Sequence, residues 1–199
     1  MVKVLVASRN QGKVRELEQV LRELNIEGVE LVSLDSAPAY PDPVEDGLTF
    51  EQNALLKARA GAKATGLPCV ADDSGLTVTA LNGMPGILSA RWSGTHGDDQ
   101  ANNDLLLAQM ADINERAAAF VSCCALSTPE GEEHTAEGHW EGELLREPRG
   151  ENGFGYDPLF APVDAPGRSS AELSADEKNE RSHRGKALRA LAPHIAALR

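Results

Sequence analysis

The chain has 199 residues, of which 41% are hydrophobic and 25% are charged, as is typical of a soluble globular protein. Its 31 acidic and 19 basic side chains give a net charge of −12, which argues against general affinity for the nucleic-acid backbone. No apolar run approaches the roughly 18 residues that cross a membrane, and we expect no signal peptide because the N-terminus leads directly into a strand.

The length of the chain limits the number of domains, and its cysteine content indicates the redox compartment. A chain of this size forms a single domain, residues 1–199, for which we expect two lobes, and no linker or repeat divides it. Cys69, Cys123 and Cys124 are an odd number of cysteines without zinc-site spacing. The sequence therefore predicts reduced thiols and a cytoplasmic location.

The N-terminal stretch predicts a strand, a polar loop and a helix. Residues 3–7 are an apolar run, and residues 14–24 have apolar side chains at helical spacing. The loop at 8–13 brings Ser, Asn and Lys to a helix N-terminus, where free backbone amides and the helix dipole favour an anion. It is not a Walker A loop, because Ala7 and Val14 replace the residues that motif requires. The loop is a candidate phosphate site, and an ordinary strand–helix turn is the alternative.

A second strand over residues 30–34 is followed by a loop rich in proline and acidic residues at positions 35–47. Loops of this length inside a compact domain often carry function. Glu45 is a candidate metal ligand in this loop, although a solvated acidic loop is the more common meaning of such a sequence.

The next helix is predicted to begin at its N-cap, Thr49, and to end at Gly66. Gln52 stands at the third helical position, where it fits a capping box. Asn53 and Lys57 are four residues apart and therefore share one face of the helix. They are either exposed to solvent or directed toward the acidic strand that follows.

An apolar run at 68–71 predicts a buried strand that ends on Asp72 and Asp73, followed by Ser74. Adjacent residues of an extended strand point to opposite faces, so only one of the two carboxylates need face a given pocket. Two like charges at the edge of a core require a cation, and Mg²⁺ prefers oxygen ligands. A solvated turn is the alternative. A separate, half-buried strand is expected over residues 76–80.

The second half of the chain predicts a helix at 98–110 and two strands, at 117–127 and 135–142, joined by a turn. His134 and His139 are five residues apart and therefore on opposite faces, which argues against a metal site there.

A glycine-rich loop at 150–158 carries Phe154, Tyr156 and Asp157, and a short strand follows it. Glycines let a ligand approach the backbone, an aromatic ring offers a stacking surface to a base, and a fixed carboxylate accepts from N–H donors. The alternative is a glycine loop whose aromatic rings cover the core.

The C-terminal region predicts a capping box at Ser174, a turn that contains Lys178, and a last helix that starts near Ser182. His183 and Arg184 lie in the first turn of that helix, where the dipole favours acidic side chains. Basic residues that oppose the helix dipole without a visible structural benefit are typical of a functional site. The alternative is that their position has no functional meaning.

These loops combine a phosphate site, metal carboxylates, stacking aromatics and basic residues, which fits a nucleoside triphosphate. In its motifs the chain resembles the inosine/xanthosine triphosphate pyrophosphatase family, which hydrolyses deaminated purine nucleoside triphosphates to monophosphate and pyrophosphate. The matching motifs follow the family's order over nearly the whole chain: SRNQGK at 8–13, GLTF with NA and KA within 47–58, ADDSGL at 71–76, GMPG at 83–86, SAR at 89–91, GFGYDP at 153–158, Lys178, and SHRG at 182–185. Gln52 departs from the Glu that the family commonly has, so a metal or water contact through this side chain would be weakened or moved.

The resemblance implies a role for each matched residue. Asp73 is the implied general base, and Mg²⁺ is the implied cofactor, held by Glu45 and Asp73 with Asp72 adjacent. His183 and Arg184 are implied to read the 6-oxo group of the purine. The full set of implied nucleotide-binding residues is Ser8, Arg9, Asn10, Gln11, Gly12, Lys13, Lys57, Ser74, Phe154, Gly155, Tyr156, Asp157, Lys178, His183 and Arg184.

The resemblance also implies a fold and an assembly. The implied fold is mixed α/β, with an elongated, twisted central sheet flanked by helices, two lobes, and the active site in the cleft between them. The implied assembly is a homodimer. The expected partner is a small nucleoside triphosphate, with neither nucleic acid nor membrane bound.

Three other functions are alternatives to this one. A pyrophosphatase of the related Maf type shares the fold class, but the FGYDP and SHR elements argue against it. A sensor that binds ITP without turnover is disfavoured by intact Asp73 and Lys13. An acidic interaction module would leave the ordered set of polar loops unexplained.

Overall fold

The computed structural model describes residues 1–198, within which strands and helices alternate along much of the chain. The strands are β1 (Val2–Val6), β2 (Val29–Ser33), β3 (Cys69–Val78), β4 (Ala117–Ser127), β5 (Glu133–Leu144) and β6 (Phe160–Pro162). The helices are α1 (Gln11–Glu23), α2 (Phe50–Thr65), α3 (Asp99–Gln109), α4 (Ala175–Arg181) and α5 (His183–Ala196). None of the helices among these 198 described residues is long and apolar enough to cross a membrane.

The strands form one mixed sheet in the order β2-β1-β3-β4-β5-β6. β1 is parallel to β2 and to β3, with Leu5 beside Cys69, whereas β5 and β6 are antiparallel, with Leu144 beside Phe160. The predicted mixed α/β class, a central sheet with flanking helices, is confirmed. The position of the active site in a cleft between two lobes stays a prediction.

The chain divides into two compact units, and the first unit consists of residues 1–73, 122–138 and 184–198. On one face of its strands, Val4 and Val70 pack with apolar side chains of α1 and α5. On the other face, Leu5 and Cys69 pack with Ala62 of α2. Because side chains alternate along a strand, neighbouring residues of β1 and β3 contribute to different layers of this core.

The second unit consists of residues 74–121 and 139–183. Three aromatic rings lie together in its core, with 4.6 Å between the ring centres of Phe120 and Phe160 and 5.4 Å between those of Trp140 and Phe160. Both pairs meet edge to face, the arrangement that the ring quadrupoles favour. The indole N–H of Trp140 donates to Asp164 at 2.9 Å, so this buried ring keeps its polar atom satisfied.

Most predicted elements are confirmed, and their caps explain where they begin and end. α1 begins earlier than its apolar pattern, because the side-chain oxygen of Asn10 accepts from the N–H of Gly12 at 2.8 Å. Thr49 caps α2 by accepting from the N–H of Gln52 at 3.1 Å. Gly66 ends this helix with a φ of 68°, a left-handed conformation that suits glycine.

The prediction that a strand ends at the acidic pair is wrong, because β3 continues through it to Val78. Asp72 and Asp73 both meet cationic side chains, so the chain has no need to turn into solvent at this point. Further along, a Cβ on Gly75 would overlap the side chain of Ser89. Glycine therefore lets the Ser89 hydroxyl accept from the N–H of Leu76 at 2.9 Å.

The cysteines are free and buried, in agreement with the predicted thiols. Burial raises the pKa of Cys69 and of Cys123 to about 12. Such thiols are protonated at neutral pH and unreactive, so they serve as small apolar core residues.

The contact between α2 and the sheet predicts the effect of Gly61→Ala. A Cβ on Gly61 would overlap the sulfur of Cys69 and lie 3.0 Å from a methyl carbon of Leu5. Helix propensity alone predicts a gain of up to about 1 kcal/mol. We expect overpacking to prevail and the free energy of unfolding, measured in urea, to fall by about 1–2 kcal/mol.

The matched control is Lys63→Ala, an exposed position of the same helix, which should change stability by less than about 0.5 kcal/mol. A Gly61→Ala variant as stable as the wild type would contradict the close packing of α2 on β1 and β3.

Candidate active site

The adjacent carboxylates of β3 point in opposite directions and have separate partners. Asp72 accepts from Lys13 and Arg184, whereas Asp73 accepts from Asn53 and Lys57. Lys13 comes from α1 and Lys57 from α2, the helices that cover the two faces of the first unit's strands. The alternation predicted from the sequence is therefore confirmed, and each carboxylate has its own cation.

Asp72 lies at the centre of a buried network of charges. Its Oδ1 accepts from Lys13 Nζ at 2.7 Å and its Oδ2 accepts from Arg184 Nε at 3.0 Å. Arg184 also reaches Glu16 at 3.4 Å, and the side chains of Asp72 and Arg184 are only 10% and 11% exposed. Burial by itself would raise the pKa of Asp72, but the two cations outweigh it and hold this pKa well below its usual range. Asp72 is therefore firmly ionised.

Asp73 has the opposite electrostatic balance. Burial raises the pKa of this carboxyl, and Lys57 and Asn53 oppose the shift only in part. Its Oδ2 accepts from Asn53 Nδ2 at 3.1 Å and its Oδ1 accepts from Lys57 Nζ at 3.3 Å. A carboxylate with a raised pKa is a better proton acceptor, so this is the carboxylate of the pair that is suited to base chemistry.

Lys57 lies between two carboxylates, with its Nζ 3.1 Å from Glu45 and 3.3 Å from Asp73. Burial acts to lower the pKa of Lys57, but the negative charges of Asp73 and Glu45 prevail and raise it. Oxygens of both carboxylates thus converge on a single cation.

This donor set fits Mg²⁺, which takes one or two carboxylates and completes its coordination with water and phosphate oxygens. Within residues 1–198, no three or more His, Cys, Asp or Glu side chains form a group that could hold a metal ion by themselves. A metal at Glu45 and Asp73 would therefore depend on substrate oxygens for part of its shell. Both oxygens of Asp72 accept from cations in this structure.

The predicted phosphate loop forms the first turn of α1 and the residues before it. The Ser8 hydroxyl accepts from the N–H of Asn10 at 3.1 Å, which holds the loop in a tight turn. Arg9 and Gln11 reach out to acidic residues of the loop before α2, Asp42 and Asp35, each at 3.1 Å. This segment therefore brings together the backbone N–H groups of a helix N-terminus and the ammonium group of Lys13, two features that favour an anion.

The glycine-rich loop of the second unit fixes a carboxylate and exposes a ring. Asp157 is buried and accepts from the N–H of Phe154 at 2.9 Å, from Ser170 at 2.8 Å and from Lys178 at 2.5 Å. The Phe154 ring is 64% exposed, and Lys178 Nζ lies 4.8 Å from its centre. A side chain at Gly153 would overlap Asp157, so glycine is required for this arrangement.

Tyr156 differs from Phe154, because its ring is buried and its hydroxyl donates to the carbonyl of Ser89 at 2.7 Å. Burial raises the pKa of Tyr156 above its usual value. Gly155 is held on both sides, since its N–H donates to Asp99 at 2.7 Å and its carbonyl accepts from Asn103 at 2.9 Å. One aromatic of the loop therefore covers the core, and the other faces solvent.

His183 begins α5 and is buried, with its ring stacked on that of Phe120 at 5.1 Å between centres. Ser74 follows Asp73 in β3 and is partly buried. The predicted site residues thus fall into two sets. The first unit holds Ser8–Lys13, Glu45, Lys57, Asp72, Asp73 and Arg184, and the second holds Ser74, Phe154–Asp157, Lys178 and His183.

Sequence reasoning left some contacts of the site unassigned. The sequence places Asn53 and Lys57 on one helix face, and the bond from Asn53 to Asp73 shows that this face is directed toward the acidic strand. Glu16 was not identified, although it lies three residues after Lys13, on the same side of α1. No sequence pattern points to Ser170, because its bond to Asp157 joins two separate three-residue 3-10 helices, Asp157–Leu159 and Ser170–Glu172.

Comparison with known proteins gives full-length matches. The model of the Ham1 family matches residues 4–194. A protein of Corynebacterium efficiens named dITP/XTP pyrophosphatase is 63% identical over 204 residues, which cover 99% of this chain and 99% of that protein.

Solved structures match over similar lengths. The crystal structure of a nucleoside-triphosphatase / dITP/XTP pyrophosphatase from Mycobacterium abscessus is 60% identical, with a TM-score of 0.82, covering 98% of this chain and 100% of that one. A HAM1 protein structure from Coxiella burnetii is 40% identical, with a TM-score of 0.88 and complete coverage of both chains.

The network around Asp72 predicts different effects for two arginines of α5. Arg184→Ala would leave Asp72 buried without one of its two cations, so we expect a loss of about 3 kcal/mol in the free energy of unfolding. Arg189→Ala breaks the contact with Glu23, at 3.0 Å, which also joins α5 to α1 but is more exposed. That variant should lose less than about 1 kcal/mol in the same urea titration. Equal losses in the two variants would contradict the central role of Asp72.

Proposed function

The chain belongs to the Ham1 family, and we propose that it hydrolyses the deaminated purine nucleoside triphosphates ITP, dITP and XTP to the monophosphate and pyrophosphate. The observation that carries this proposal is the convergence of Glu45 and Asp73 on Lys57, beside a second lysine paired to Asp72. Relatives whose names state this activity support the choice of substrate.

Residues of the first unit would bind the triphosphate. The loop Ser8–Lys13 offers backbone N–H groups at the start of α1, and Lys13 and Lys57 offer ammonium groups. Both lysines are paired to carboxylates in this structure. Phosphate oxygens would therefore bind the ammonium groups together with these carboxylates or in their place. Arg9 and Gln11 are exposed and would reach the outer phosphates.

Glu45 and Asp73 would hold Mg²⁺, with Asp72 beside them as the predicted neighbour. The metal, when bound, supplies positive charge that offsets the charge developing on the phosphates. In this structure Lys57 Nζ contacts one oxygen of each of these two carboxylates. The protein therefore keeps these two side chains converged by its own contacts.

Asp73 would act as the general base. Its carboxylate takes a proton from a water molecule as the water oxygen attacks the α-phosphorus, and pyrophosphate leaves with the electrons of the broken anhydride bond. The raised pKa of Asp73 favours this transfer, and the Asn53 amide holds one of its oxygens in place.

The second unit has the chemistry to recognise a base. Phe154 offers an exposed ring for stacking, and Lys178 lies close to that ring. Asp157 is held by three donors, and through its bond to the N–H of Phe154 it orders the loop. The roles of His183 and Arg184 in reading the 6-oxo group stay predictions, and Arg184 is bound to Asp72 and Glu16 in this structure.

Three further features belong to this proposal. We expect a homodimer, as the family resemblance implies. We also expect a cytoplasmic location, which the three buried, free cysteines favour. We expect Mg²⁺ as the physiological cofactor, which chelation followed by metal add-back would test.

The direct test of the proposed function is pyrophosphate release from ITP, dITP, XTP, GTP and ATP by the purified protein with Mg²⁺. We expect rapid release from the first three and slow release from the other two. Tight binding of ITP without release from any nucleotide would favour a sensor and would overturn the proposal.

The exposed ring of Phe154 predicts a measurable contribution to base binding. Loss of one base–aromatic stacking contact costs about 1–3 kcal/mol, so Phe154→Ala should raise the KM for ITP by about 5- to 150-fold. Val163→Ala is the matched control, because Val163 is an apolar residue of the same unit that is 67% exposed. Steady-state kinetics should leave this control within about twofold of the wild type, and an unchanged KM for Phe154→Ala would remove the ring from base recognition.

A further inference from the structure

Asn53 is a buried polar residue in the first turn of α2, with a side chain that bridges two parts of the first unit. The residue is only 2% exposed. Its Oδ1 accepts from the backbone N–H of Gly47 at 2.9 Å, and its Nδ2 donates to Asp73 Oδ2 at 3.1 Å. The oxygen and the nitrogen of the amide are therefore both hydrogen-bonded. Because the oxygen accepts from Gly47, the NH2 group is the one that faces Asp73.

The bridge requires glycine at position 47, because a side chain there would collide with the Asn53 amide. A Cβ on Gly47 would lie 2.5 Å from the side-chain oxygen of Asn53 and 2.8 Å from the Cβ of Gln52. Only a residue without a side chain lets the backbone approach the amide this closely. The bridge thus fastens the end of the acidic loop two residues after Glu45, the other carboxylate that contacts Lys57.

The two hydrogen-bond donors to Asp73 differ in charge and in the contacts that hold them. Lys57 contacts Oδ1 through a flexible ammonium group that also contacts Glu45, whereas Asn53 contacts Oδ2 through a neutral amide fixed at both ends. A neutral donor holds a carboxylate in one orientation without adding the positive charge that would lower its basicity further. If phosphate oxygens drew Lys57 away, the bond from Asn53 would still orient Asp73.

We propose that Asn53 is a positioning residue for the reaction: it fixes the orientation of the Asp73 carboxylate and ties it to the loop that carries Glu45. This inference rests on the proposed pyrophosphatase function. Asn53 touches neither substrate nor water in the proposed step, so it acts through Asp73.

The test compares the same Asn→Asp change at two buried asparagines, each in the first turn of a helix. Asn53→Asp keeps the size of the side chain and the acceptor for Gly47 but replaces the donor to Asp73 with a second carboxylate oxygen. Asn102→Asp makes the same chemical change at a residue of the second unit that is also 2% exposed, in the first turn of α3, where the Asn102 Oδ1 accepts from the N–H of Ser93 at 2.7 Å. Asn53→Ala is a second variant that removes both bonds without adding charge.

We expect kcat for ITP to fall by about 10- to 100-fold in Asn53→Asp and Asn53→Ala, the loss expected for one hydrogen bond to a charged group. The Kd of an ITP analogue with a non-hydrolysable α,β bond, measured by calorimetry, should stay within about threefold of the wild type. Asn102→Asp should keep kcat within about twofold of the wild type, because the side-chain hydrogen bonds of Asn102, to Ser93 and Ala90, involve none of the proposed site residues. Thermal unfolding establishes that each variant is folded at the assay temperature.

Each other outcome decides against the inference. If either folded Asn53 variant keeps kcat near the wild-type value, or loses analogue binding in proportion to kcat, Asn53 does not position the base. If Asn102→Asp loses as much kcat as Asn53→Asp, the effect comes from burying a new carboxylate and not from the contact with Asp73. A wild-type protein that releases no pyrophosphate would refute the proposed function, and the inference would fall with it.

Discussion

The arrangement of the first unit depends on neutralising two adjacent carboxylates inside one strand. Asp72 and Asp73 point to opposite faces of β3, so a single cation cannot serve both. Lys13 of α1 meets Asp72 on one face, and Lys57 of α2 meets Asp73 on the other. This requirement links the positions of both helices to β3, and it brings the start of α1 and the face of α2 close to the acidic pair.

The pKa values of the two carboxylates shift in opposite directions because their surroundings differ. Asp72 has two close cations, which keep its pKa low and make it an anchor for Lys13 and Arg184. Asp73 has one shared cation and a neutral amide, so burial prevails and raises its pKa. Separate roles for adjacent residues, one structural and one suited to proton transfer, follow from this difference.

Much of the fold could be predicted from local patterns, and the limits have physical causes. Helices α1 and α2 and the strand β4 follow from periodicity and from caps such as Thr49, because these signals depend on near neighbours in sequence. The uninterrupted course of β3 could not be predicted, since it depends on lysines 59 and 16 residues away from their partners. Likewise, the sequence pattern of the glycine-rich loop does not distinguish Phe154, which is exposed, from Tyr156, which bonds to a distant carbonyl.

The measurement that tests this division of roles most directly is a comparison of Asp72→Asn with Asp73→Asn, in unfolding free energy and in pyrophosphate release from ITP. We predict that Asp73→Asn keeps its stability within about 1 kcal/mol of the wild type, because its environment disfavours the charged form, and loses turnover. Asp72→Asn should lose about 3 kcal/mol of stability, because the largely buried Arg184 and the partly buried Lys13 lose the carboxylate that they share. Near-wild-type turnover in Asp73→Asn, or equal losses of stability in the two variants, would contradict the account.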